Sequence, residues 1–225
     1  MDNSGTIPFN INMRVPDCDT LINFVYPNIE KIVPPSSYFL DCIILAPRNS
    51  DIDDLNTAIL HRFLEQQQTF YNADVIETEP NIYMDSHHIP VEYLRSITVS
   101  GLPPSELHLK PGCPLILLQN LAPARGLCNG TCLILYRATG HVLEVKIIGN
   151  QHNREITFIP QIGLTPSNKT GLSFQLHWRQ FPICLAFALT INKAQGQSVC
   201  FIGIDLQEPV FSHGQLYIAL SRVTS

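Results

Sequence analysis

Two segments of the chain concentrate side chains able to handle phosphate. The first is AFALTINKAQGQS, residues 186–198. Its apolar start reads as a buried strand, and its polar groups follow at the strand's C-terminal end, where ligands bind in open α/β sheets. Thr190, Asn192, Lys193, Gln195, Gln197 and Ser198 offer hydroxyl, amide and ammonium groups suited to a phosphate backbone. Gly196 lets the main chain come close to a ligand. The same residues also read as a capped helix start with solvated polar groups, and this segment alone does not separate the two. The second segment is VFSHGQLYIALSRVTS, residues 210–225, with Arg222 at the end of an otherwise apolar helix. Helix dipole or solvation accounts for one arginine there. The sharper reading is an arginine finger, whose planar fork suits a γ-phosphate and its transition-state charge.

Other groupings carry less. Cys128 and Cys132 are spaced C-x-x-x-C with His141 following, but a zinc site needs four ligands and a second pair is missing. Buried apolar thiols are the simpler account. His87-His88 reads as an exposed loop. Trp178 near Phe181 has the chemistry of a base-stacking platform, against which stands packing in the core or at a barrel edge. Cys42 lies within an apolar run and reads as packing rather than as a nucleophile served by His61. Ser212-His213 has no acidic partner or elbow motif nearby, which argues against a hydrolase; His213 belongs to the second phosphate segment.

These residues need elements to hold them. A short apolar helical stretch falls near 21–26. The run YFLDCIILA, 38–46, is bounded by proline and reads as a buried strand. Asn49-Ser50-Asp51 starts a helix running to about Gln67, with Ile52, Leu55, Ile59, Leu60 and Phe63 on one face. Strand, turn and helix make half of a βαβ unit. Residues 71–106 are polar and loop-like, with a helix at 91–96. Short strand-like runs then follow at 113–119, 131–136, 142–148 and 155–159, separated by turns at Asn129-Gly130, Thr139-Gly140 and Gly149-Asn150. That spacing predicts a small β-barrel inserted into an α/β domain. The apolar run 183–189 reads as one strand with a helix start at Thr190; a strand at 199–204 and a helix at 214–222 complete the pattern.

The chain has 225 residues, 45% of them hydrophobic and 15% charged, an ordinary globular mixture. No apolar run is long enough to span a membrane. The start MDNSG has neither a basic region nor an apolar stretch and reads as no secretory signal. Seven cysteines, an odd number, then imply reduced thiols in the cytosol or nucleus. The net charge of −5 lacks the basic footprint usual for nucleic-acid binding. Any such contact must be local or supplemented by other parts of a parent protein.

Together the two phosphate segments resemble motifs V and VI of the Pif-type superfamily-one DNA helicases, and in particular the helicase domains of Helitron transposons. ILAPRN (44–49) with Asn56 is similar to motif IV. GLPP (101–104), LKPGCPLILLQNL (109–121) and GLCNGT (126–131) are similar to the accessory barrel called 2B, and RQFP (179–182) is also characteristic. The resemblance covers about residues 18–225. It implies an α/β fold, a RecA-like second motor domain (2A, a parallel sheet flanked by helices) with an inserted small SH3-like β-barrel. Residues 1–100 would be the first part of 2A with an N-terminal helical segment, 101–178 the barrel, and 179–225 the rest of 2A, truncated at its C-terminus. Such helicases hydrolyse ATP between two RecA-like domains while stepping 5′-to-3′ along single-stranded DNA. Arg222 would be the motif VI finger and Arg48 a candidate second finger. Thr190, Asn192, Lys193, Gln197, Ser198 and His213 would lie toward the DNA, and Gln195 and Gly196 toward the phosphates of ATP. The barrel and its Asn129-Gly130 turn would flank the DNA channel.

Two departures shape the expectation. The Pif branch usually reads Pro-Thr-Arg in motif IV, whereas this chain reads Pro47-Arg48-Asn49, which puts a nucleotide role for Arg48 in question. The family commonly has arginines where Gln119, Cys132, Gln161 and Trp178 stand, in keeping with the acidic net charge. The larger departure is that the 12 glycines never form G-x-x-x-x-G-K-[ST], the loop that cradles phosphates. Nor does a strand end in an Asp-Glu pair to hold magnesium; Asp53-Asp54 lies on the helix instead. The expectation is therefore a helicase portion whose ATP and Mg2+ are bound mainly by a domain not in this chain, with no cofactor for the chain alone. Its partners would be single-stranded DNA and an N-terminal RecA-like half, with no membrane and a nuclear or cytoplasmic location. The alternative is a non-catalytic module that binds single-stranded DNA or a partner, or an inactive transposon relic.

Overall fold

The run CIILA ends against Pro47 and becomes β1 (Cys42–Ala46), with all five side chains buried. It is the centre of a three-stranded parallel sheet in the computed structural model, which describes residues 13–32, 34–77, 102–149, 156–164 and 175–223. On one side β12 (Ala188–Thr190) pairs from Ile44↔Ala188 to Ala46↔Thr190. On the other, β13 (Phe201–Ile204) pairs from Cys42↔Phe201 to Leu45↔Ile204. A parallel strand with neighbours on both edges and helices over it is apolar at every position, which is why β1 shows no alternation.

Two helices cover this sheet. Asp17 caps α1 (Cys18–Val25), its side chain accepting the Thr20 N–H at 2.7 Å. The buried Leu21, Ile22 and Val25 pack α1 on β1 and β13. Gly203 makes the close approach possible: a Cβ there would sit 2.7 Å from Val25 Cγ2. The longer α3 (Asn49–Arg62) buries Ile52, Leu55, Ile59 and Leu60 toward β1 and β12. Its Asn56 is also buried. The carboxamide donates to the Ala188 carbonyl at 3.1 Å and accepts the Ala188 N–H at 2.9 Å. Arg62 at the end of α3 pairs with Asp19 of α1.

The chain forms two compact units. The first comprises the described residues within 13–32, 41–62 and 188–223. The second comprises those within 34–40 and 63–187. Along the chain the longest stretch of the second unit runs from Phe63 to Phe187.

The second unit is built on a five-stranded antiparallel sheet. Its strands are β5 (Pro114–Leu117), β6 (Cys132–Ala138), β7 (Val142–Ile147), β8 (Ile156–Pro160) and β11 (Ile183–Leu185), in the order β11-β5-β6-β7-β8. A one-sided sheet should alternate along each strand. In β7, Leu143, Val145 and Ile147 are buried while Val142, Glu144 and Lys146 are half-exposed. Two smaller sheets belong to the same unit. One pairs β2 (Gln68–Tyr71) with β4 (Glu106–Leu109). The other runs β3 (Ala73–Glu77), β10 (Gln175–Gln180), β9 (Ile162–Leu164). Phe187 packs 5.7 Å from both Phe39 and Phe63, ring centre to ring centre. Trp178 is 1% exposed, so it packs in this core and offers no stacking platform.

Several expectations need correction. Residues 38–41 form a helical turn, α2 (Tyr38–Asp41), and the strand starts only at Cys42. The long helix stops at Arg62 because the next apolar side chain, Phe63, is buried in the second unit. Residues 71–77, expected to be loop, contribute to β2 and β3. The helix expected at 91–96 lies outside the described residues. The apolar run 183–189 is not one strand: β11 pairs antiparallel with β5, and two residues later β12 pairs parallel with β1. Buried strands of either kind read as apolar runs, so hydrophobicity does not mark where one sheet ends and another begins. Among the described residues no helix is long and apolar enough to cross a membrane.

The Asn56 clasp generates a stability prediction. Asn56→Ala removes two hydrogen bonds and strands a buried N–H and C=O of Ala188. The expected loss is about 2–4 kcal/mol, measured by urea unfolding. The exposed neighbouring change Thr57→Ala should cost far less, and equal losses would contradict the role assigned to the clasp.

Candidate functional site

Parallel register brings the C-terminal ends of β1, β12 and β13 to one edge of the first unit. β12 ends there at Thr190, which is 9% exposed. The Ile191 N–H extends the pairing by one bond to the Ala46 carbonyl at 3.1 Å. Residues 191–196 then form turns, not the helix start that the sequence also allowed. Ala194 donates to Thr190, Gln195 to Asn192 and Gln197 to Ala194, each a single local bond. Ile191 and Ala194 are buried and pin the segment. Asn192, Lys193, Gln195, Gly196 and Ser198 are left exposed, and Gln197 half-buried. Gly196 has φ +89°, a value that any side chain would strain, with open space around it.

Lys193 has an acidic neighbour. The Asp53 carboxyl on α3 is held above its ordinary value of 3.8, mainly by the burial around it; Lys193 pulls it back down and Asp54 pushes it up. Sequence reading missed this pairing, because helix carboxylates at 53 and 54 say nothing of a turn 140 residues away.

The second phosphate segment joins the first directly. Gly214, φ +82°, opens the short α4 (Gln215–Leu220). Inside it Gln215 is 1% exposed; its side-chain Oε1 accepts the Phe211 N–H at 3.2 Å, and its Nε2 is buried without a hydrogen-bond partner among the described residues. Just past α4, the Arg222 guanidinium donates through Nε to the Ile218 carbonyl at 3.1 Å, through one Nη to the Gln197 carbonyl at 3.4 Å, and through the other to Ser221 Oγ at 3.0 Å. The Val199 N–H donates to the Arg222 carbonyl at 3.0 Å, and Val199 and Val223 form a parallel bridge. Residues 197–199 and 218–223 are thus one hydrogen-bonded body. His213 lies exposed in the turn before α4.

Arg48 leaves the same strand edge, between β1 and α3. It pairs with Glu208 at 2.9 Å, both side chains 48% exposed. Such an exposed pair is worth about 0–1 kcal/mol, so it holds the guanidinium without committing it. Glu208 is a second residue that sequence reading did not single out.

A parallel sheet with helices over it and a polar turn at its C-terminal edge defines the class: an α/β unit. Residues 92–137 match the family described as the 2B domain of DNA helicase Pif1. An ATP-dependent DNA helicase PIF1 of Rattus norvegicus is 35% identical over 122 residues, covering 53% of this chain and 18% of that protein. An ATP-dependent DNA helicase Pif1 of Bdellovibrio bacteriovorus is 28% identical over 185 residues, covering 79% of this chain and 39% of that protein. Among solved structures, Pif1 helicase from Bacteroides in complex with ADP-AlF3 and single-stranded DNA matches with TM-score 0.59 and 20% identity, over 95% of this chain and 44% of that one. In sequence and fold the chain is similar to the C-terminal portion of Pif1-type helicases, and it spans less than half the length of these relatives.

The Asp53 environment predicts a pH dependence. The folded state binds that proton more tightly than the unfolded chain does, so the ionised carboxylate opposes folding above the raised pKa. The opposition vanishes as pH falls below 3.8. Asp53→Asn should raise the urea midpoint at pH 7 and lose that advantage near pH 3, about a unit below the ordinary carboxyl value. An equal gain at both pH values would contradict this account.

Proposed function

We propose that the chain supplies the second motor domain and accessory barrel of an ATP-dependent DNA helicase, and that an N-terminal RecA-like half completes it. The observation that carries this reading is the bonded body formed by 197–199 and 218–223. It couples a turn rich in phosphate-binding groups to Arg222, an arginine suited to a transferring phosphoryl group. In this reading Arg222 is the finger and Arg48 a second cation held by Glu208. Gln195 and Gly196 face the phosphates of ATP. Thr190, Asn192, Lys193, Gln197, Ser198 and His213 serve the DNA.

The donor set fits only the far side of a nucleotide. It offers guanidinium groups for developing charge but no lysine-bearing glycine loop for the phosphates, and the carboxylate that follows β13, Asp205, stands without the Asp-Glu pair that would hold Mg2+. ATP and Mg2+ therefore belong mainly to the other half, and the isolated chain is a DNA-binding part rather than a helicase. The five-stranded sheet of the second unit corresponds to the SH3-like 2B barrel, with its Asn129-Gly130 turn near the DNA channel. Pro47-Arg48-Asn49 favours the Helitron branch, and 5′-to-3′ unwinding in the nucleus, in genome maintenance or transposition, follows for the parent protein. The alternative, a non-catalytic module or a relic, draws support from the acidic net charge and from the hydrogen bonds that tie Arg222 to its own chain.

Fluorescence anisotropy with oligo-dT at low salt tests this. Binding is expected. Lys193→Ala should weaken it and flatten the dependence of log K on log salt by about 0.7, one phosphate contact on a single strand. Arg222→Ala should leave it nearly unchanged. Absence of binding would remove the DNA role, and a large loss with Arg222→Ala would contradict its assignment to nucleotide.

A further inference from the structure

The outward face of the five-stranded sheet is unusual for a small soluble sheet. Phe158 is 61% exposed, Ile156 55% and Tyr136 64%. The first two stand on β8 at the sheet edge, where polar side chains are expected. Register places them on one face with charged groups. Arg137, Glu144 and Phe158 lie directly opposite one another across β6, β7 and β8, and Lys146 lies opposite Ile156. A register shift between Leu135 and Arg137 inserts Tyr136 as an extra residue. A bulge re-aims side chains, and here Tyr136 and Arg137 are consecutive and both exposed.

The charges on this face are not those of the whole chain. Glu144 is the acidic member, its side chain 17% exposed, and it is bound to Arg137 at 3.2 Å. That contact uses part of a fork with five N–H donors, and Arg137 remains 71% exposed. Lys146 is half-exposed. Among the described residues the face therefore presents two aromatic rings and an isoleucine beside two cations, and its carboxylate, Glu144, is paired with Arg137. Rings interleaved with basic groups on an exposed antiparallel sheet suit unpaired bases, which stack on the rings while the cations meet phosphates. An aliphatic protein partner would leave Arg137 and Lys146 without a counter-charge; a nucleic-acid strand supplies one.

We infer that this face, centred on Phe158 and Tyr136 with Arg137 and Lys146 at its flank, is a stacking platform for single-stranded nucleic acid. It adds a contact to the DNA role proposed above but stands on different residues in the other unit. Two cations on a single strand allow a salt slope no steeper than about −1.4, so most of the affinity comes from bases.

Titration of the 15N-labelled full chain with oligo-dT and with an abasic oligomer of equal length tests it. With oligo-dT, amide shifts are expected at Tyr136, Arg137, Glu144 and Phe158. The abasic strand should bind more weakly by on the order of tenfold, and Phe158→Ala and Tyr136→Ala should each lower oligo-dT affinity by a similar factor. Both rings are on the surface, so the variants should keep the parent spectrum elsewhere. Shifts confined to residues 190–198, with both variants binding normally, would overturn the platform and leave the motif V contact standing. Shifts confined to the sheet face would do the reverse. Equal affinity for the abasic strand would remove stacking, and no shift anywhere would overturn both.

Discussion

Three residues of parallel pairing are a weak hold on a polypeptide, and β12 has only Ala188, Leu189 and Thr190 with which to pair. The Asn56 carboxamide makes up the deficit. It satisfies both backbone groups of Ala188 from a buried position on α3, so the outer edge of the strand is closed by a side chain where another strand would otherwise be needed. Everything downstream hangs from this clasp. Thr190 ends the strand, Ile191 and Ala194 pin the turn, and Gln197 receives the Arg222 guanidinium. A strand displaced by one residue would exchange the two buried faces of β12 and carry the whole turn at 191–196 with it. The same asparagine lies between Leu55 and Ile59 on the buried face of the helix, so packing and polar fixation act through one element.

The cations of the candidate site are held in reserve in different ways. Arg48 rests on a carboxylate, Lys193 lies near one, and Arg222 bonds neutral acceptors. Bonds from a guanidinium to neutral carbonyls are weaker than the bidentate bonds it forms with phosphate. Arg222 is therefore the side chain with most to gain from an incoming phosphoryl group. Its present bonds also keep α4 and the turn that ends at Gln197 in one body, so a move of the guanidinium would loosen that turn.

Much of this was legible in the residues themselves. CIILA against Pro47, the helix from Asn49, the alternating β7 and the Gly-marked turns follow from periodicity and backbone chemistry, and the polar groups after β12 mark the C-terminal edge of the sheet in sequence and structure alike. The rest depends on partners distant in sequence. Asn56 reads as a polar residue spoiling an apolar helix face until Ala188 is set against it. Asp53 and Glu208 acquire meaning only beside Lys193 and Arg48. The split of 183–189 between two sheets was hidden because burial looks alike in both. The bulge at Tyr136 leaves no mark in the hydrophobic pattern, and the side chains it exposes read from sequence as an ordinary strand end.

The central claim is that the bonded body of 197–199 and 218–223 acts on a nucleotide held by another RecA-like domain. The most direct measurement is DNA-stimulated ATP hydrolysis after this chain is combined with the Walker-bearing half of a Pif1-type helicase. Neither part should hydrolyse ATP alone. The complex should do so, and Arg222→Ala should lower its rate by about a thousandfold or more. A complex that forms, as judged by sedimentation, yet hydrolyses ATP equally well with and without Arg222 would contradict the account.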